Sequence, residues 1–174
     1  MNKWQERWFG IAEKVASWSE DDSTKVGAVT VLGEDFKTFG WNGLPRDVDM
    51  EVPERPEKYL YMEHAERNAI YNATRNGISL YGTTMYVTHF PCSDCARAII
   101  QAGIKEVAYL KKIETEQWSA SNNASEVMFR KAGVTVYHVL SEQPSKIESL
   151  QEPEHRNHEE QCRTERLLAI SEVM

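Results

Sequence analysis

The sequence predicts an α/β protein with helices layered on a sheet, and three observations predict it. Short runs of strand-like residues recur at 25–32, 35–41, 83–89, 106–110 and 134–140. Helical apolar spacing fills 64–76, 92–102 and 121–132, and Gly77, Gly103 and Gly133 stop these helices in turn. A chain of 174 residues, 41% of them hydrophobic, is long and apolar enough for one domain with its own core. Strands that alternate with helices imply a sheet covered by helices.

The first element is an amphipathic helix over 3–18, with Asn2 as its cap and Trp4, Trp8, Ile11, Ala12 and Val15 turned inward. A polar turn over 19–24 leads to the strands 25–32 and 35–41, joined through Gly33-Glu34 as a hairpin. Gly40-Trp41-Asn42-Gly43-Leu44-Pro45 ends the second strand in turn residues, where α/β proteins collect ligands, although the spacing alone favours a simple turn. Residues 44–60, with three prolines, many charges and neither Cys nor His, read as a loop. The helix over 64–76 places Ala65, Ala69 and Ala73 inward. Residues 1–140 form the expected domain. The polar stretch that follows is expected to be a flexible linker, with a short helix over 162–173 within the segment 141–174.

Two short segments hold most of the metal-capable side chains: Glu63-His64-Ala65-Glu66 and Pro91-Cys92-Ser93-Asp94-Cys95. His64, Cys92 and Cys95 make three ligands, the number a catalytic zinc takes while it leaves its fourth position to water. Cys92 and Cys95 lie three apart, so they share the first turn of a helix, where its positive end and the metal favour thiolates. A bare Cys-x-x-Cys also suits a redox pair or half of a zinc knuckle. Glu66 follows His64 by two, so at a helix start the two diverge: His64 reaches the metal and Glu66 the water or substrate beside it, as general acid and base.

A net charge of −7 argues against an extended basic surface for nucleic acid and leaves room for a small anionic substrate. Three cysteines, with Cys162 alone in the tail, form no disulfide framework and fit a reducing compartment. No apolar run approaches a membrane span and the N-terminus lacks a secretion signal, so the expected location is the cytoplasm. His89 is read as packed or hydrogen-bonded and not as a ligand. Ser23 and Lys25 are candidates for a substrate phosphate, against the alternative of a solvated turn.

His-x-Glu followed by Pro-Cys-x-x-Cys is the signature of zinc-dependent nucleobase deaminases. The stretches His64-Ala65-Glu66-Arg67-Asn68-Ala69-Ile70, Thr84-Met85-Tyr86-Val87-Thr88, Pro91-Cys92-Ser93-Asp94-Cys95-Ala96-Arg97-Ala98-Ile99-Ile100 and Gly103-Ile104-Lys105 extend it. Through them the chain resembles the deoxycytidylate (dCMP) deaminases of the zinc-dependent cytidine deaminase superfamily, closely over 63–110 and more weakly over 26–140.

The resemblance implies a three-layer α/β/α cytidine deaminase fold with a five-stranded mixed sheet, and hydrolysis of dCMP to dUMP and ammonia, feeding thymidylate synthesis. It implies Zn2+ on His64, Cys92 and Cys95, Glu66 as proton shuttle and Asn42 at the substrate sugar. Zinc lowers the pKa of bound water to about 7 and so supplies the hydroxide that attacks cytosine C4. Gly40-Trp41-Asn42-Gly43 also resembles the motif through which regulated members sense dCTP and dTTP, and Arg75 matches a position in that response. Asn72 departs from the aromatic residue that regulated relatives can carry there, and a Cys- and His-containing insertion of some relatives is missing. A homo-oligomer, in the form of a hexamer, is implied as well. The competing readings are a tRNA adenosine deaminase and a non-catalytic, zinc-stabilised nucleotide-binding protein; dCTP or a base-modified dCMP competes with dCMP as substrate.

Overall fold

The computed structural model describes residues 1–139, so the expected linker and C-terminal helix over 141–174 lie outside the described residues. Within them the chain runs α1 (Lys3–Ala16), β1 (Gly27–Leu32), β2 (Asp35–Trp41), a 3-10 turn (Glu57–Leu60), α2 (Ala65–Arg75), β3 (Thr84–His89), α3 (Ser93–Gln101), β4 (Glu106–Lys111), α4 (Glu116–Ala132) and β5 (Thr135–His138). The strands form one mixed sheet in the order β2-β1-β3-β4-β5. The β1 strand is antiparallel to β2 and β3, while β3, β4 and β5 run parallel.

Alternation along the strands divides the core between two faces. Val29, Val31, Tyr86, Ala108 and Leu110 pack with Trp8, Phe9 and Ala12 of α1. Ala28, Met85, Val87, Val107 and Val136 pack with Ala65, Ala69 and Ala73 of α2, Ala96 and Ile99 of α3 and Phe129 of α4. The result is the expected three-layer α/β/α architecture with a five-stranded mixed sheet.

Two glycines let helices approach opposite faces. A Cβ on Gly27 would lie 2.0 Å from the Ala12 carbonyl oxygen, and one on Gly40 would lie 2.3 Å from the Ala69 nitrogen. Only a bare backbone accommodates α1 on β1 and α2 on β2 at these points. Asn68 Nδ2 then donates to Trp41 O at 2.8 Å and Asn72 Nδ2 to Phe39 O at 2.6 Å, which fastens α2 across the edge strand.

The helix boundaries correct several expectations. Asn2 caps α1 in a capping box with Gln5, as its position suggested, but the helix ends at Ala16. The buried face includes Phe9, whose ring meets Tyr86 edge-on at 5.3 Å, and leaves Ile11 exposed. Trp18 lies beyond the helix, 45% exposed, against Phe39 and Trp41. The α4 helix starts at Glu116 rather than Ser121; its first turn carries one apolar residue, Trp118, and so shows no apolar spacing in the sequence. Among the described residues, no helix is long and apolar enough to cross a membrane.

Candidate active site

A two-residue bridge fixes where α2 begins. Gly43 N donates to Glu63 O at 3.0 Å and Glu63 N to Gly43 O at 2.8 Å, so the chain enters the helix extended. His64 is therefore the N-cap of α2, with an extended backbone, and Glu66 sits in the first turn. Cys92 is likewise the N-cap of α3, and Cys95 lies in that helix's first turn. The two helix starts face each other, and Arg67 joins them: its guanidinium pairs with Glu63 and lies 3.7 Å from Asp94.

His64 Nδ1 lies 3.4 Å from Cys92 Sγ and 3.5 Å from Cys95 Sγ, and the three donor atoms fall within 4.8 Å of one another. Tetrahedral zinc with Zn–S of about 2.3 Å and Zn–N of about 2.0–2.1 Å separates nitrogen and sulfur by roughly 3.5 Å. The donor set and its spacing thus fit zinc. The thiol of Cys95 and the imidazole of His64 hydrogen-bond Cys92 and bring its pKa down to about 4 against the opposing effect of burial. That same bond to Cys92, together with burial, raises Cys95, and Cys92 raises His64. The corner therefore already favours a thiolate. Glu66 is 4% exposed, and burial pushes its carboxyl up.

His64, Glu66 and Cys92 open on a cleft that is also lined by Asp21, Thr24, Asn42, Arg55, Lys58, Tyr59, Trp118 and Asn122. Its polar wall centres on a buried ion pair, with Lys58 Nζ 2.6 Å from both Asp21 Oδ2 and Ser23 Oγ. Burial raises the Asp21 carboxyl, but the donors Lys58, Ser23 and Thr24 outweigh it and bring the pKa down to about 2. Asn42 is held by both ends of its amide: Oδ1 accepts from Val26 N at 2.7 Å and Nδ2 donates to Thr24 O at 2.8 Å.

The expected residues fall into two groups. His64, Cys92, Cys95, Glu66 and Asn42 meet at this cleft. Ser23 and Lys25 do not line it: the Ser23 hydroxyl donates to Asp21 at 2.7 Å, and Lys25 Nζ donates to Ser19 O at 2.6 Å. His89 lines the cleft and its ring lies 3.2 Å from the Thr88 hydroxyl. Gly40 is the close approach to α2, Trp41 stacks on Phe39, Gly43 forms the bridge to Glu63, and Arg75 is exposed at the end of α2. Asn72 takes a bond from Arg46 while it holds β2. Sequence reading missed Asp21, Arg55, Lys58, Tyr59 and Trp118; the signal for Lys58 was one short run, Lys58-Tyr59-Leu60, amid prolines and charges in an aperiodic loop.

Comparison with known proteins places this geometry. Residues 2–111 match the cytidine and deoxycytidylate deaminase zinc-binding region. An uncharacterized deaminase in the luxG 3' region of Aliivibrio fischeri is 43% identical over 140 residues, covering 78% of this chain and 93% of that protein. The deoxycytidylate deaminase of Homo sapiens is 38% identical over 142 residues, covering 76% of this chain and 78% of that one. Among solved structures, the dCMP deaminase of cyanophage S-TIM5 in complex with dCMP and dUMP is 28% identical, covers 79% of this chain and 98% of that one, and superposes with a TM-score of 0.69. Fold, zinc-fitting corner and sequence agree that this chain belongs to the zinc-binding family of cytidine and deoxycytidylate deaminases.

Proposed function

We propose that the protein hydrolyses dCMP to dUMP and ammonia, supplying dUMP for thymidylate synthesis. One observation carries the reading: a nearly fully buried Glu66 opens on the same cleft as the His64–Cys92–Cys95 corner and as a polar wall that includes Asn42, Thr24 and Arg55. The choice of substrate is supported by the human and murine relatives named deoxycytidylate deaminase and by the similarity to the cyanophage enzyme with its dCMP and dUMP.

His64, Cys92 and Cys95 would hold zinc, which when bound would supply Lewis acidity that lowers the pKa of water to about 7. Glu66 takes a proton from the attacking water, delivers it to N3 of the cytosine ring, and then protonates the departing amine. Its place in the first turn of α2, two residues after His64, aims the carboxyl beside the metal corner and not onto it. Asn42 positions the sugar. Both Nδ2 donors face protein acceptors, Thr24 O and, at 3.4 Å, Asp21 Oδ2, so Oδ1 keeps one lone pair for a sugar hydroxyl. Unpaired cysteines persist most readily in a reducing compartment, which supports a cytoplasmic setting.

An ammonia-release screen over cytosine, deoxycytidine, dCMP, CMP, dCTP, single-stranded DNA and tRNA tests the proposal, with dCMP expected to be turned over fastest. Faster turnover of DNA or tRNA overturns it. The same screen with dCTP and dTTP added tests effector sensing at Gly40, Trp41, Asn42, Gly43 and Arg75, and light scattering tests the hexamer.

A further inference from the structure

We infer that Arg55, with the Thr24 hydroxyl beside it, selects a phosphate-bearing substrate, while the buried Lys58 adds no net charge to phosphate recognition. The inference rests on the mononucleotide reading above and names the residue that makes the cleft specific for a nucleotide over a nucleoside.

Two basic side chains of the Lys/Arg type line the cleft, Arg55 and Lys58. Lys58 is 5% exposed and its ammonium lies 2.6 Å from the Asp21 carboxylate. A buried pair at that distance presents a dipole to the cleft, and a phosphate that approaches it meets the carboxylate as well as the ammonium. Burial pushes His89 down, so that imidazole is neutral at pH 7. Lys25 is turned away to Ser19 O.

Arg55 differs on each count. It is exposed at the rim, and among the described residues no carboxylate pairs with it. Its Nη2 donates to Thr24 Oγ1 at 3.2 Å and its guanidinium lies 6.0 Å from the Tyr59 ring centroid, two neutral contacts that orient the group and leave its charge uncompensated. The remaining N–H groups form a planar fork matched to a phosphate, which a lysine cannot reproduce. Because the Thr24 hydroxyl accepts from Arg55, its own proton is free for a phosphate oxygen. Arginine and threonine thus offer one monoanion-to-dianion site at the cleft edge, clear of the buried Glu66.

The test compares dCMP with deoxycytidine on the zinc-loaded full chain. Arg55→Gln is expected to lower the ratio of kcat/KM for dCMP over deoxycytidine roughly 10- to 100-fold, the loss of a charge-assisted contact. Arg55→Lys, which keeps the charge and loses the fork, is expected to fall between. An unchanged ratio, or an equal loss on both substrates, overturns the assignment. Calorimetric binding of dUMP and deoxyuridine separates it from the deaminase reading. If the wild type deaminates neither substrate, the proposed function fails, yet a preference for dUMP that Arg55→Gln abolishes still upholds Arg55. Binding of dUMP to Arg55→Gln as tight as to the wild type overturns it.

Discussion

His64, Cys92 and Cys95 reach one another from the starts of two regular helices, whereas Asp21, Arg55 and Lys58 meet from a polar turn and an irregular loop. In the first region, backbone geometry aims the side chains: an N-cap points its side chain along the helix entrance, and a residue three positions on lies beside it. In the second, side chains hold the backbone. The Lys58–Asp21 pair ties residues 54–62 to the turn at 19–24, with Ser23 and Asn42 drawn into the same set of bonds. The proposed chemistry is thus built on regular helices and the proposed recognition on segments fastened by a buried charge pair. The two regions should fail differently when they are mutated.

The largest effect belongs to the metal corner. Glu66→Gln keeps the shape of the carboxyl and loses its proton transfer, so kcat is expected to fall about 10²- to 10⁴-fold while elemental analysis still finds one zinc per chain. Retained turnover with lowered stability would make Glu66 structural and remove the contrast. In the polar wall the damage is to folding. Lys58→Met strands the Asp21 carboxylate in a buried site and is expected to cost about 3–5 kcal/mol in urea denaturation, with zinc content unchanged.

Gly40→Ala tests the seat of α2, from which the metal corner hangs. The added Cβ would fall 2.4 Å from the Ala65 carbonyl and 2.3 Å from the Ala69 nitrogen, both backbone atoms, so an overpacking cost of about 3 kcal/mol is expected by thermal unfolding. A variant as stable as the wild type would show that α2 can shift without harm. The smallest effect is acid sensitivity. The Lys58, Ser23 and Thr24 donors bring the Asp21 pKa down to about 2, below the ordinary carboxylate range, so its ionised form stabilises the fold by about 2 kcal/mol above pH 4. That contribution is lost as the pH falls from about 4 to about 2. The pH dependence of ΔG in Asp21→Asn, set beside the wild type, should lack this acid-side loss; identical slopes would refute the shift.

The order of strands and helices over residues 1–139 was legible in the sequence, because periodicity and glycine stops are local. Ala65, Ala69 and Ala73 could be read as the inner face of α2 from their spacing alone, and all three are buried. The zinc corner was legible for the same reason: each half is a short motif at a helix start, and two such starts at the ends of a folded sheet need only meet. The α1 face was legible in part. Trp8, Ala12 and Val15 follow the expected stripe, but the apolar surface of that helix is wider than what the sheet covers, and Phe9 docking on Tyr86 turned it so that Ile11 faces water.

Tertiary structure alone decided the polar wall. Asp21 and Lys58 are 37 residues apart in the chain, and neither has a periodic neighbour that marks it as buried. A charge is expected at the surface unless a partner meets it, and partners separated in this way become visible only once the loop has closed. The sequence by itself therefore determined the fold class and the three residues that meet at the candidate metal corner, whose information lies within a few residues. Which cations line the cleft, and which of them keeps its charge free, was decided by long-range pairing, because the energy that buries Lys58 and leaves Arg55 at the rim resides in contacts between distant segments.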